Sequence, residues 1–155
     1  MESILGLAFS SLVFMLVYQF LAPWFSGRTV TFSTPDLGPK FLFGLLMSLG
    51  TALFMSFAVF AFVFLLLPFF VLAAAAPGPM TFLLVMGGTG LAVLLSVQVS
   101  HWVMTIIAGK LMPSTITVPS AGAAWKAAWA PTVVTLLPYL FMVFLPLVGF
   151  SILAA

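Results

Sequence analysis

The sequence predicts an all-α, polytopic integral membrane protein with four transmembrane helices, and three observations lead there. First, 65% of the 155 residues are hydrophobic and only 4% are charged, whereas soluble domains carry about 25% charged residues and roughly 45–50% apolar ones. Second, the charges fall at Glu2, Arg28, Asp36, Lys40, Lys110 and Lys126, leaving three uncharged stretches, 3–27, 41–109 and 127–155. Third, the longest of these is divided by Pro77-Gly78-Pro79. Six charges cannot solvate a globule of this size. Disorder is excluded as well, because disordered chains are poor in apolar residues.

A helix rises about 1.5 Å per residue, so about 20 residues cross a hydrocarbon core roughly 30 Å thick. The first span is predicted over 4–22. Met1-Glu2-Ser3 brings an acid and no basic cluster, so a retained helix is expected rather than a cleaved signal. The stretch 41–109 is too long for one crossing and must fold back at its Pro-Gly-Pro, giving spans over 42–70 and 80–109. Pro68 is expected to bend the second span and to leave Phe69 and Phe70 at the far interface. The fourth span, 130–153, is interrupted by Pro138 and Pro146, which membranes tolerate where neighbours satisfy the freed carbonyls. The whole chain, 1–155, reads as one transmembrane domain.

Arg28 and Lys40 lie between the first two spans, Lys110 and Lys126 between the last two. With four crossings the loops 23–41 and 110–129 share one side. Their cations make that side cytoplasmic, and both termini lie opposite, as in a bacterial inner membrane. Trp24, Trp125 and Trp129 fall at the basic boundary, where an aromatic belt is expected.

The two basic loops also resemble each other. Thr31-Phe32-Ser33-Thr34-Pro35-Asp36-Leu37-Gly38 has a counterpart in Thr115-Ile116-Thr117-Val118-Pro119-Ser120-Ala121-Gly122, 84 residues later. Gly27-Arg28 and Gly109-Lys110 precede them, and Lys40 and Lys126 follow. Alternating Thr and apolar residues predict a short extended piece in each. One reading is two tandem helix–loop–helix repeats, 1–76 and 80–155, running in the same direction about an axis along the membrane normal. The other is that interfacial loops converge on Thr, Ser, Pro and Gly.

Intramembrane ionisable residues are functional candidates, and His101 is the chain's single histidine. Gln98, His101 and Thr105 share one helix face, with Ser96 and Ser100 nearby. Three roles compete. The first is a structural one, with His101 and Gln98 bridging to another helix through Gln19 or Ser56. The second is ligation of haem or a chlorophyll-type pigment, with a partner subunit or a thioether such as Met104 as second ligand. The third is a proton or substrate relay. Small residues spaced by four, at Gly6/Ser10, Gly44/Ser48, Ala52/Ser56 and Gly88/Ala92, allow close helix approach, and with Gly87-Gly88-Thr89-Gly90 they predict tight packing around the third span. The 18 Phe and nine Met read as lipid-facing and gap-filling groups.

The remaining counts narrow function. The chain has no Cys, so thiolate chemistry and disulfides are excluded. One His and two separated acids form neither a metal ligand set nor a catalytic triad, so no catalysis is expected. Four basic residues are too few for a nucleic-acid footprint. The expected function is a non-catalytic membrane subunit that packs in or stabilises a larger membrane complex. Its partners would be the bilayer and other membrane subunits or further copies of itself, with lipid bound and no other cofactor required. The alternatives are a small channel or transporter component, and a pigment-binding subunit using His101. The stretch Ala124-Trp125-Lys126-Ala127-Ala128-Trp129-Ala130-Pro131, leading into an apolar helix, resembles polytopic membrane domains of the Yip1 type. It covers less than a tenth of the chain and implies no function for any residue.

Overall fold

A computed structural model of the chain describes residues 2–75 and 78–153. In chain order the elements are α1 (Glu2–Phe25), β1 (Thr31–Phe32), α2 (Leu37–Ala75), α3 (Gly78–Leu111), β2 (Ile116–Thr117) and α4 (Ala121–Leu153). Among the described residues, three helical segments, Ser3–Phe25, Leu37–Phe57 and Gly78–Leu111, are long and apolar enough to cross a membrane. Large apolar side chains such as Ile4, Phe9, Phe20, Phe57 and Val71 are mostly exposed. That pattern suits a lipid solvent and would be untenable in water.

Local chemistry explains the helix ends. α1 closes with Gly27 and Arg28 at φ of 64° and 62°. The Arg28 amide donates to the Pro23 carbonyl and the Gly27 amide to that of Trp24, the Schellman arrangement that caps helix carbonyls. α2 begins at Leu37, five residues before the predicted 42. Pro39 sits in its first turn, where no N–H is needed. α4 begins at Ala121, well before the predicted 130. The Ser120 hydroxyl accepts the Ala123 amide at 3.1 Å, and the alanine-rich run that follows has high helix propensity. α2 continues through Pro68 to Ala75 rather than ending at Phe70. α4 is likewise continuous over Pro138 and Pro146. The predicted turn lies partly outside the described residues, between the end of α2 at Ala75 and the start of α3 at Gly78.

Each helix packs against its neighbours in sequence, and α1 meets α4 to close a four-membered ring. The two loops pair as a small antiparallel sheet, with Thr31 opposite Thr117 and Phe32 opposite Ile116. The Ser33 amide donates to the Thr115 carbonyl at 2.8 Å, and the Ser33 and Thr117 hydroxyls lie 2.7 Å apart. Both loops therefore sit at one end of the bundle. The register centres on the Phe32–Ile116 pair, whose members correspond under the 84-residue offset.

The core lies toward that clasped end. Val30 and Ile116 of the loops are buried with Tyr18, Ala22, Phe43, Met47, Met104, Ala108 and Ala127. Phe32 stands edge-on to Phe43 with ring centres 5.2 Å apart. The loops thus plug the bundle with apolar side chains. α1 and α2 approach closely enough to bring backbone against backbone. A Cβ on Gly44 would come within 2.1 Å of the Ser11 carbonyl oxygen, and Ser48 hydrogen-bonds Ser10 across the same interface. Of the small residues expected to pack tightly around the third span, Gly88 and Ala92 are buried. Gly87 and Gly90 face open space, and Ala52 and Ser56 are exposed.

Candidate functional site

α3 presents Gln98, His101 and Thr105 on one face, as their spacing predicts, and all three are fully buried. Their partners come from α1 and α4. The Gln98 amide Nε2 donates to the Trp125 carbonyl at 3.0 Å. His101 Nδ1 lies 2.9 Å from the Thr132 hydroxyl, which itself lies 2.8 Å from the Ala128 carbonyl. A hydroxyl has one proton. Thr132 donates it to the carbonyl and accepts the Nδ1 proton from the imidazole. His101 is then the neutral Nδ1–H tautomer, with a lone pair on Nε2. That nitrogen is buried and has no hydrogen-bond partner.

A second chain of hydroxyls runs to α1. Thr105 donates to the His101 backbone carbonyl at 2.7 Å, so the buried Tyr18 hydroxyl, which contacts Thr105, is the donor to it. Phe14 of α1 stands edge-on to the imidazole, with ring centres 5.5 Å apart. Two threonines, Thr105 and Thr132, therefore tie α1, α3 and α4 to the backbone and ring of one histidine.

Beside this network is a cleft of about 420 Å³ between α1 and α4, lined by Phe9, Ser10, Val13, Phe14, Val17, Pro131, Val134, Thr135 and Pro138. It is almost wholly apolar. Phe14 belongs to both the cleft and the His101 contact.

The bridges from His101 and Gln98 end on α4, not on the expected Gln19 or Ser56. Ser56 is exposed and bonds the Ala52 carbonyl of its own helix. The residue beside Gln19, Tyr18, is the one turned toward α3. A step of one residue rotates a helix position by a large angle, and only contact information selects the inward member. Thr132 was also missed. Its signal was a hydroxyl next to a proline in an otherwise apolar span.

Of the four cations, Arg28, Lys110 and Lys126 are exposed near the clasp. Lys40 is not: it is only 8% exposed, with Nζ 5.5 Å from the centre of the Phe32 ring. Its stem is buried and its charge rests against an aromatic face. Trp24 is 76% exposed. Trp125 contacts both Trp129 and Trp102, and Trp102 donates to the Ala121 carbonyl at 2.9 Å. Trp102 thus joins the expected tryptophans at this end. No group of three or more His, Cys, Asp or Glu that could hold a metal occurs among the described residues. No protein-family model, curated protein or solved structure matches this chain.

Proposed function

We propose that the chain is a four-span, non-catalytic subunit that packs within a larger membrane complex, with its clasped end in the cytoplasm. The observation that carries this is how the polar side chains inside the bundle are used. Tyr18, Thr105, His101 and Thr132 bind one another and helix carbonyls, so they join helices rather than line a wet path. Hydrogen bonds of this kind contribute about 0.6 kcal/mol each in membranes, a cohesive role. The clustering of exposed Arg28, Lys110 and Lys126 at one end supports the orientation. The fourth crossing is assigned to α4, whose 33 residues would extend about 50 Å. The self-complementary register of β1 and β2 supports two tandem repeats related by a two-fold axis. Mild solubilisation followed by native mass spectrometry tests the subunit reading. Co-purifying polypeptides at fixed stoichiometry are expected. A lone chain that conducts ions or solutes in liposomes overturns it.

A second reading, ligation of a tetrapyrrole by His101, draws support from the bare Nε2, because metal-bound imidazoles hold their other N–H in a hydrogen bond such as that to Thr132. With Nε2 sealed, a macrocycle would require Phe14 and its neighbours to repack. An absorbance spectrum of the purified protein decides it, since a Soret band is expected only under this reading.

A further inference from the structure

We infer that the α1–α4 cleft is a binding site for a hydroxyl-headed lipid, whose apolar body fills the cleft and whose O–H donates to Nε2 of His101. The inference needs only a bilayer around the chain and stands whether or not the chain has protein partners.

Three observations converge. A volume of about 420 Å³ lies within the range of small-molecule sites, roughly 300–1,000 Å³. The lining from Phe9, Val13 and Phe14 on one side and Pro131, Val134 and Pro138 on the other accepts a chain or ring, not an ionic head. Next to it, Nε2 of His101 is a buried acceptor with no donor, and a buried polar atom left unpaired is costly. The Thr132 contact fixes which nitrogen carries the proton, so the missing partner must be a donor. Phe14 lines the cleft and stands edge-on to the imidazole, so it is the side chain a ligand must displace to reach His101 from the cleft.

The cleft's own polarity agrees. Pro138 has no N–H, so the Val134 carbonyl lacks the usual helical donor at i+4, and both residues line the cleft. Thr135 lies three residues from Thr132 and lines the cleft, offering a hydroxyl that can donate to the ligand oxygen. A carboxylate head would place an anion against acceptors. An ester or ether head would leave Nε2 unpaired. An alcohol suits both requirements, and a prenol or a diacylglycerol would each supply it.

Because His101 is the single histidine, ¹⁵N-histidine labelling reports this site alone. The full chain would be placed in nanodiscs of dimyristoyl phosphatidylcholine, a lipid without a hydroxyl donor. Farnesol, dioctanoylglycerol and farnesyl methyl ether would be titrated separately. Before addition, the spectrum should show Nδ1 protonated and Nε2 bare. At least one alcohol should shift Nε2 saturably, and the arm that does so names the lipid class. The ether should bind about fivefold more weakly than farnesol where farnesol is that ligand, equivalent to about 1 kcal/mol, and leave Nε2 unshifted. Val134→Trp, which fills the cleft, should abolish the response while preserving the spectrum of the free protein. Phe14→Ala should lower the half-saturating concentration. An Nε2-protonated ring in the free protein, no shift with either alcohol, or an equal shift with the ether overturns the inference.

Discussion

Thr132 decides which nitrogen of His101 holds a proton, because its own proton goes to the Ala128 carbonyl. Thr132→Val keeps the shape and removes that acceptor. The stability lost should be about 1 kcal/mol, within the range for buried hydrogen bonds, read as a lower unfolding midpoint in micelles. The ¹⁵N spectrum should then show a mixture of tautomers. Tyr18→Phe should cost less, about 0.6 kcal/mol, because Thr105 keeps its bond to the His101 carbonyl. Similar losses for the two variants would contradict this ordering. The face shared by Gln98, His101 and Thr105 was legible in sequence because helical spacing alone defines it. The partners were not, because which residues of α1 and α4 turn inward depends on packing in three dimensions.

Two glycines of α2 test how closely helices touch. An added methyl on Gly44 meets backbone, the Ser11 carbonyl oxygen at 2.1 Å, whereas one on Gly50 meets the tip of Met104, with Cε at 1.9 Å. Methionine can swing aside and a helix backbone cannot. Gly44→Ala should therefore destabilise by about 1–3 kcal/mol, the usual cost of overpacking, and Gly50→Ala by clearly less, in the same unfolding measurement. At the start of α4, Ser120→Ala removes the cap on Ala123 and should cost about 1 kcal/mol, with faster hydrogen exchange at Ala123 and unchanged exchange in α3. That cap is visible in sequence only in hindsight. Charge and tryptophan placed the bilayer boundary near 130, and the helix begins earlier because a boundary in solvent does not interrupt the backbone. The proline positions misled in the same direction for the helix ends: α2 was expected to stop at Phe70, and it runs on through Pro68 to Ala75.

For the molecule as a whole, the loop pairing makes a prediction about sidedness. Ser33 and Thr117 have hydroxyls 2.7 Å apart, and the chain has no cysteine of its own. A Ser33→Cys, Thr117→Cys double variant should form a disulfide under mild oxidation, and either single variant should not form one within the chain. Single cysteines in place of Arg28 and Lys110 should react with a membrane-impermeant maleimide from the same side. Labelling from opposite sides would refute the up-down-up-down arrangement. Composition alone announced a helical chain fit for a bilayer, since six charges permit nothing else. The loop resemblance foretold that the two segments are alike. It could not foretell that they bind each other, because a shared pattern does not encode mutual contact.

The strand pair has a mechanical outcome as well. It fastens the first helical hairpin to the second at one tip, so the four rods behave as tongs with a riveted end. α2 and α3 are joined again at the far tip, where Ala75 ends one and Gly78 begins the other, so α1 and α4 are the pair free to part, and the mouth between them opens on the side away from the rivet. A molecule dissolved in the lipid would enter sideways through that mouth, never along the axis past Phe32 and Ile116.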